Sequence, residues 1–206
     1  MVAIEVSLPD SAVVEEGDTI FPHARALNGY GDSVAATIVW ATLDTASLLV
    51  LDTLTGASQG KKPSNSARLQ ARVGALLSTP LVLAVRAQAD TLFAPGAIRD
   101  TVDASVSVDS LSDSLIVRLQ ADTGGIKFDL AGRRVVFQII YPAGAGAFTL
   151  QPQDTVLTAA SGRAAVRTRL VNRTLPDSVV VEARALRANG QTVPGSPVTF
   201  VVEYVP

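Results

Sequence analysis

Apolar and polar residues alternate with a period of two along much of this chain. The segments Ile4-Glu-Val-Ser-Leu8, Arg68-Leu-Gln-Ala-Arg-Val73, Leu115-Ile-Val-Arg-Leu-Gln-Ala121 and Ala164-Ala-Val-Arg-Thr-Arg-Leu170 all carry it. That period sends successive side chains to opposite faces, so each segment predicts a half-buried strand. Other segments are more fully apolar: Ala36-Thr-Ile-Val-Trp-Ala41, Pro80-Leu-Val-Leu-Ala-Val85, Val135-Val-Phe-Gln-Ile-Ile140 and Val179-Val-Val-Glu-Ala183. Their β-branched content and short length favour strands over buried helices. Asn65 to Leu77 contains good helix formers, but Leu69, Ala71 and Val73 alternate, and a strand is expected there too.

Turn signals separate these segments: Asn28-Gly-Tyr-Gly-Asp32, Thr55-Gly56, Thr123-Gly-Gly125, Ala131-Gly132, Ser161-Gly162, Asn189-Gly190 and Pro194-Gly195. Glycine, proline and asparagine at such intervals mark tight reversals. Many short strands with frequent turns predict an antiparallel sandwich or barrel.

A weak internal repeat divides the chain. Val85-Arg-Ala-Gln-Ala-Asp90, Ala94-Pro-Gly96 and an alternating run to Val106 form one copy. Ala183-Arg-Ala-Leu-Arg-Ala188, Val193-Pro-Gly195 and a run to Val205 form the other, 98 to 99 residues on. Each copy reads as a closing hairpin. This predicts one domain over residues 1–104 and a second over 105–206, the second opening with Val106-Ser-Val-Asp-Ser110. No Gly/Ser-rich linker lies between them, which predicts a short junction and a restricted angle.

Composition narrows the possibilities. The chain has 206 residues, enough for two domains of about 100 each. It is 48% hydrophobic but only 5% aromatic, so its cores must be built from aliphatic side chains. The net charge is −2, with 11 acidic and 7 basic residues in 1–104 against 8 and 10 in 105–206. That balance gives no reason to expect nucleic acid as a partner. There is no cysteine, which removes disulfides, thiolate metal sites and cysteine nucleophiles. The longest apolar stretch, Leu76 to Val85, is broken by Ser78, Thr79 and Pro80, and no span of a bilayer is expected. Met1-Val-Ala-Ile-Glu-Val reads directly as a first strand rather than as a leader. An exported form would take its signal from a longer precursor. Ordered ends at Met1 and Pro206 would suit a complete small subunit held by neighbours, since free termini usually fray.

The first half resembles the group 2 bacterial immunoglobulin-like domains, through Val6-Ser-Leu-Pro9, Val14-Glu-Glu-Gly-Asp-Thr19 and Ile38-Val-Trp-Ala-Thr42. A ring such as Trp40 fills the space between sheets stacked about 10 Å apart. The usual small turn before the family's last strands is poorly matched, and Gly56 to Pro63 reads as an expanded polar loop. The second half is similar to the invasin/intimin type. It matches a strand, "G-x-x-V-x-F" and "T-x-x-x-G-x-A-x-V" patterns through Gly132, Val135, Phe137, Thr158, Gly162, Ala164 and Val166. The resemblance implies an all-β fold of two tandem immunoglobulin-like antiparallel sandwiches, on the periplasmic or extracellular side of a bacterial envelope.

Candidate chemistry is sparse. His23, the one histidine, sits on an expected strand with no Gly-x-Ser-x-Gly elbow in the chain, so no catalytic triad is expected. Ordinary zinc sites fail on ligand count. Asp90, Asp100, Asp103, Asp109 and Asp113 cluster near the expected junction and are the one set worth weighing for calcium, with Asp100, Asp103 and Asp109 foremost. Gly124-Gly125 and Gly144-Ala-Gly146 read as turns rather than phosphate loops. Asn172-Arg-Thr174 fits a glycosylation pattern by chance. The sharpest surface feature is basic: Arg163, Arg167, Arg169 and Arg173, of which Arg167 and Arg169 share a strand face and suit an acidic partner or lipid headgroups. No cofactor and no catalysis are expected. The expected role is structural: an accessory subunit or spacer docking on protein partners in a membrane-associated assembly. The alternative is an adhesin or carbohydrate-binding module of a longer surface protein, for which Tyr30 and Tyr141 are the available platform rings.

Overall fold

A computed structural model describes residues 2–8, 12–104, 110–142, 146, 148–171 and 177–205. Every regular element among them is a strand. Val106 to Asp109, Gly144, Arg173 and the Asn172-Arg-Thr pattern lie outside the described residues. Residue contacts divide the chain into two units, Met1–Gln88 and Ala89–Pro206.

The first unit contains β1 (Ala3–Ser7), β2 (Val13–Glu15), β3 (Thr19–Ile20), β4 (His23–Leu27), β5 (Ser33–Val34), β6 (Val39–Thr42), β7 (Leu48–Val50), β8 (Ser58–Gly60), β9 (Ser64–Val73), β10 (Leu76–Leu77) and β11 (Leu81–Arg86). One sheet runs β1-β4-β5 and a second runs β10-β9-β11-β2, with β6 on the other side of β9; a small third sheet runs β3-β8-β7. The alternation predicted for residues 65–77 is realised in β9, whose Ala67, Leu69 and Ala71 are buried. They join Ile4, Val14, Trp40, Leu48, Leu83 and Val85 in one core. Gly56 to Pro63 is not an expanded polar loop. It contains β8, and Gly56, Ala57, Ser58 and Gly60 are all buried. Composition misled here because small residues are chosen where backbone must pass close to other groups, and such residues read as loop.

The second unit contains β12 (Thr91–Phe93), β13 (Arg99–Asp103), β14 (Leu115–Thr123), β15 (Ile126–Asp129), β16 (Arg134–Tyr141), β17 (Phe148–Gln151), β18 (Thr155–Leu157), β19 (Arg163–Leu170), β20 (Ser178–Ala185) and β21 (Val198–Val205). They form two five-stranded sheets: β12-β14-β19-β17 with β15 beside β14, and β13-β21-β20-β16-β18. Val117, Leu119, Val135, Phe137, Ala164, Val166, Val179, Val181, Phe200 and Val202 point inward and are fully buried. Phe137 and Phe200 are the largest, and truncating either to alanine is expected to cost about 3–5 kcal/mol.

The boundary expected near residue 104 is corrected to Gln88/Ala89, because β12 and β13 pair within the second unit. The sequence repeat therefore joins segments that are not equivalent. Its first copy begins on β11, the last strand of the first unit, and continues into the opening strands of the second; its other copy is the β20–β21 hairpin. A strand followed by Pro-Gly reports a reversal, not the identity of the partner strand. The structural repeat lies elsewhere. Each unit opens with a segment that begins antiparallel in one sheet (β1 on β4, β12 on β14) and then crosses to lie parallel to the last strand in the other (β2 on β11, β13 on β21). One segment thereby covers an edge of both sheets, where unpaired backbone would otherwise stand open.

Candidate functional site

Strand β19 places the arginines. Its inward residues Ala164, Val166 and Thr168 are buried, so Arg163, Arg167 and Arg169 project from the opposite face. Three of the four predicted residues therefore share one face. The register adds a fourth guanidinium that the sequence did not single out: Arg118 on β14 lies directly opposite Arg163. Its own alternation places it outward, but only the β14–β19 pairing brings it here.

Among the described residues, Asp129 on β15 is hydrogen-bonded to one of these guanidinium groups. Arg118 grips Asp129 through both nitrogens, Nε to Oδ1 at 2.7 Å and Nη2 to Oδ2 at 2.7 Å, and Gln120 Nε2 donates to Oδ1 at 3.0 Å. These bonds, Arg118 first, hold the Asp129 carboxyl below the usual carboxylate range, against a smaller effect of burial and with a further contribution from the Arg163 charge. Arg167 Nε donates to Ser114 Oγ at 3.2 Å. Four guanidinium groups and Lys127 thus stand with Asp129 and Asp122 on the outward face of β14, β15 and β19, and the balance among the described residues is cationic.

Behind this face the strand is pinned to the other sheet. Tyr204 on β21 donates its phenol proton to the Thr168 carbonyl at 2.9 Å, so the 2.8 Å contact with Thr168 Oγ1 is the threonine donating back. Thr168 N–H also donates to Ser112 Oγ at 2.9 Å, and the Phe148 ring lies 5.2 Å from that of Tyr204. Burial pushes the Tyr204 phenol up to about 12 from 10.0, with the Asp100 charge adding to the rise and the Thr168 bond opposing it. A raised folded-state pKa means that the stabilisation is intact below pH 10 and is lost as pH climbs toward 12. The loss is roughly 2–3 kcal/mol in all. Urea unfolding of wild type at pH 9.5 and 11.5 should show about 1.5–2 kcal/mol of this drop, and Tyr204→Phe should flatten it; equal slopes in the two proteins would refute the assignment.

The acidic candidates do different work. Asp100 accepts the N–H of Asp113 at 2.7 Å and of Thr101 at 2.9 Å. Asp90 accepts the Asp122 N–H at 2.8 Å and faces Arg187 at 3.4 Å. They tie connections to strands. Among the described residues no three His, Cys, Asp or Glu converge as a metal site. Asp109 lies outside those residues, and Asp103 is on the exposed edge of β13.

His23 is exposed at the start of β4, opposite Ser7, beside a cavity lined by Pro22, Ala24, Ile38, Trp40 and Leu54 with no carboxylate among its lining. Of the candidate platform rings, Tyr30 stands 94% exposed at the tip of the Asn28–Asp32 turn, and Tyr141 is half-exposed at the end of β16. Asn28 Oδ1 accepts the N–H groups of Tyr30 and Asp32, which holds that tip in shape. Exposed Phe21 was not anticipated, since nothing in its sequence neighbourhood marks it as outward-facing.

The residues behind the second-half resemblance have structural work to do. Thr158 Oγ1 bonds the Leu130 carbonyl and accepts the Arg133 N–H, and its own carbonyl accepts the Gly132 N–H, closing the connection from β15 to β16. Strand pairing makes this chain a tandem of two immunoglobulin-like β-sandwiches.

No protein-family model matches the chain, and no curated protein matches it. Solved structures do. Adhesin InvE of Yersinia pseudotuberculosis aligns over 98% of this chain and 59% of its own, at 16% identity and a TM-score of 0.43. The D00-D0 domain of intimin aligns over 98% and 100%, at 17% identity and 0.36. The fibronectin(III)-like modules of Clostridium thermocellum CbhA align over 98% and 93%, at 12% identity and 0.43. The chain thus spans less than two thirds of the InvE chain. No helix among the described residues is long and apolar enough to cross a membrane.

Proposed function

We propose that this chain is a non-catalytic structural and interaction module on the outer side of the cytoplasmic membrane of a bacterium. It docks through the arginine face of its second unit onto an acidic protein surface of a membrane-associated assembly. One observation carries this: Arg118, Arg163, Arg167 and Arg169 share an outward sheet face on which cations outnumber carboxylates among the described residues, with β19 pinned from behind by Thr168 and Tyr204. A rigid strand holds charges at fixed spacing, which favours steering and orientation of a complementary surface. The bacterial immunoglobulin-like motifs support the envelope setting.

Capture from detergent-solubilised envelope membranes tests it. Wild type should retain a defined partner, with retention falling as salt rises through about 0.1 M, where screening reaches roughly 10 Å. The triple variant Arg163→Ser, Arg167→Ser, Arg169→Ser should lose at least about tenfold in affinity. A freely soluble monomer with no co-purifying partner would refute the proposal. Tyr30, held out on its ordered turn, favours an adhesin or carbohydrate-binding module as the second reading, which a glycan array without hits would remove.

A further inference from the structure

The two outer faces of the second unit differ in chemistry. Outward residues of the β12-β14-β19-β17 sheet include Arg118, Gln120, Arg163, Arg167 and Gln151, as expected for a face in water. The β13-β21-β20-β16-β18 sheet departs from that pattern. Leu157 and Leu186 are 63% and 62% exposed, and Val136 projects from the same face on β16. At this end of the sheet lies a groove of about 680 Å³. Its floor is Val136, Leu186 and Pro197, and its cations are Arg134, Arg184 and Arg187. The hairpin from Leu186 to Thr192, closed by their bridge and by the Arg187 N–H to Gln191 O bond of 2.8 Å, forms one wall.

The three guanidinium groups are not equivalent. Arg184 is paired with Glu182 at 2.6 Å. Arg187 is largely buried, donating to the Ala89 carbonyl at 2.9 Å and facing Asp90 at 3.4 Å. Arg134 has no carboxylate partner among the described residues. An apolar floor beside one uncompensated cation is complementary to a molecule with an apolar body and a single negative group. A peptide strand suits the groove poorly. The backbone of β16 and β20 is consumed in the ladder between them, and the Ser196 hydroxyl accepts the Ala185 N–H at 3.2 Å, so the lining offers a peptide only the Ser196 and Thr192 hydroxyls and the guanidinium groups. Those groups are mostly donors, so a peptide's own N–H groups would find few acceptors.

We propose that this groove binds an amphipathic organic anion: an alkyl or aryl body lying on Val136, Leu186 and Pro197, with its acid group on Arg134. Its volume falls within the roughly 300–1,000 Å³ of small-molecule sites. The site is on the opposite sheet from the arginine face and does not depend on it.

Fluorescence titration of the full chain with 1-anilinonaphthalene-8-sulfonate tests the inference, with decanoate and decanol as competitors. Saturable one-site binding is expected, displaced by decanoate at least about tenfold more readily than by decanol. Arg134→Gln and Leu186→Asn, both exposed positions, should each weaken probe binding by about tenfold or more while the far-ultraviolet spectrum and unfolding midpoint stay as in wild type. The triple variant at Arg163, Arg167 and Arg169 should bind the probe normally, which separates this site from the docking face. Absence of saturable binding, equal displacement by decanol, or unchanged binding in both groove variants would overturn it; so would displacement by an acidic peptide but not by decanoate.

Discussion

Replacing Gly56 with alanine is expected to destabilise the first unit by about 3–4 kcal/mol. Two causes add. Gly56 has φ +77°, a left-handed conformation that costs an L-residue roughly 1 kcal/mol or more. A Cβ there would also stand 2.8 Å from Trp40 Cδ1 and Cε2 and 2.8 Å from Pro22 Cγ. The indole is 3% exposed and set in the core, so turning away from a new Cβ would cost it packing contacts there. Because Trp40 is the sole tryptophan, its fluorescence reports unfolding of this unit wherever Trp40 is kept, and circular dichroism follows denaturation of the Trp40→Leu proteins. A double-mutant cycle separates the causes. In a Trp40→Leu background the overlap with the ring disappears, and the penalty of Gly56→Ala should shrink to about 1–2 kcal/mol. A penalty of the same size in both backgrounds would show that the glycine does not serve the ring.

Gly195→Ala is expected to cost the second unit about 3–5 kcal/mol. Val193 to Ser196 forms a tight turn, with Ser196 N–H donating to Val193 O at 3.0 Å, Pro194 in the second position and Gly195 in the third at φ +83°. That is the geometry of a type II turn, which requires the left-handed conformation at its third residue. The turn also docks: Pro194 O accepts the Leu92 N–H at 2.9 Å, and a Cβ on Gly195 would overlap the Leu92 carbonyl. Backbone cannot rotate out of the way as a side chain can. The alanine must therefore push the turn off β12 and release the Leu92 N–H. Chemical denaturation followed by circular dichroism should show the loss, and hydrogen exchange at the Leu92 amide should accelerate more than at Val117 in the core. Unchanged protection of Leu92 would count against the account.

Both substitutions fall where the sequence reads only as punctuation. Thr55-Gly and Pro194-Gly were legible as turns because glycine and proline there answer a local need. What each turn rests against was not legible, since Gly56 meets Trp40 from another strand and Gly195 meets Leu92 from the start of its unit. The candidate face behaves likewise. Alternation around Val166 places Arg163, Arg167 and Arg169 on one side of a strand without further information. Arg118 joins them only through the register of β14 on β19, a pairing between segments some 45 residues apart. The groove at Arg134 draws on β16, β20 and the hairpin beyond it, and no single stretch announces it.

By itself the sequence determined the strand character of the chain, its aliphatic cores and the direction in which each strand turns its residues. These follow from period two and residue type, which are properties of neighbouring residues. Tertiary structure alone decided where the first unit ends, because β12 and β13 read as strands in either unit and only their hydrogen-bonded partners assign them to the second. It also decided that Gly56 to Gly60 is core rather than loop, and which charges and apolar side chains share a surface. Those outcomes depend on close approach between segments distant in sequence, and side-chain periodicity carries no record of the partner.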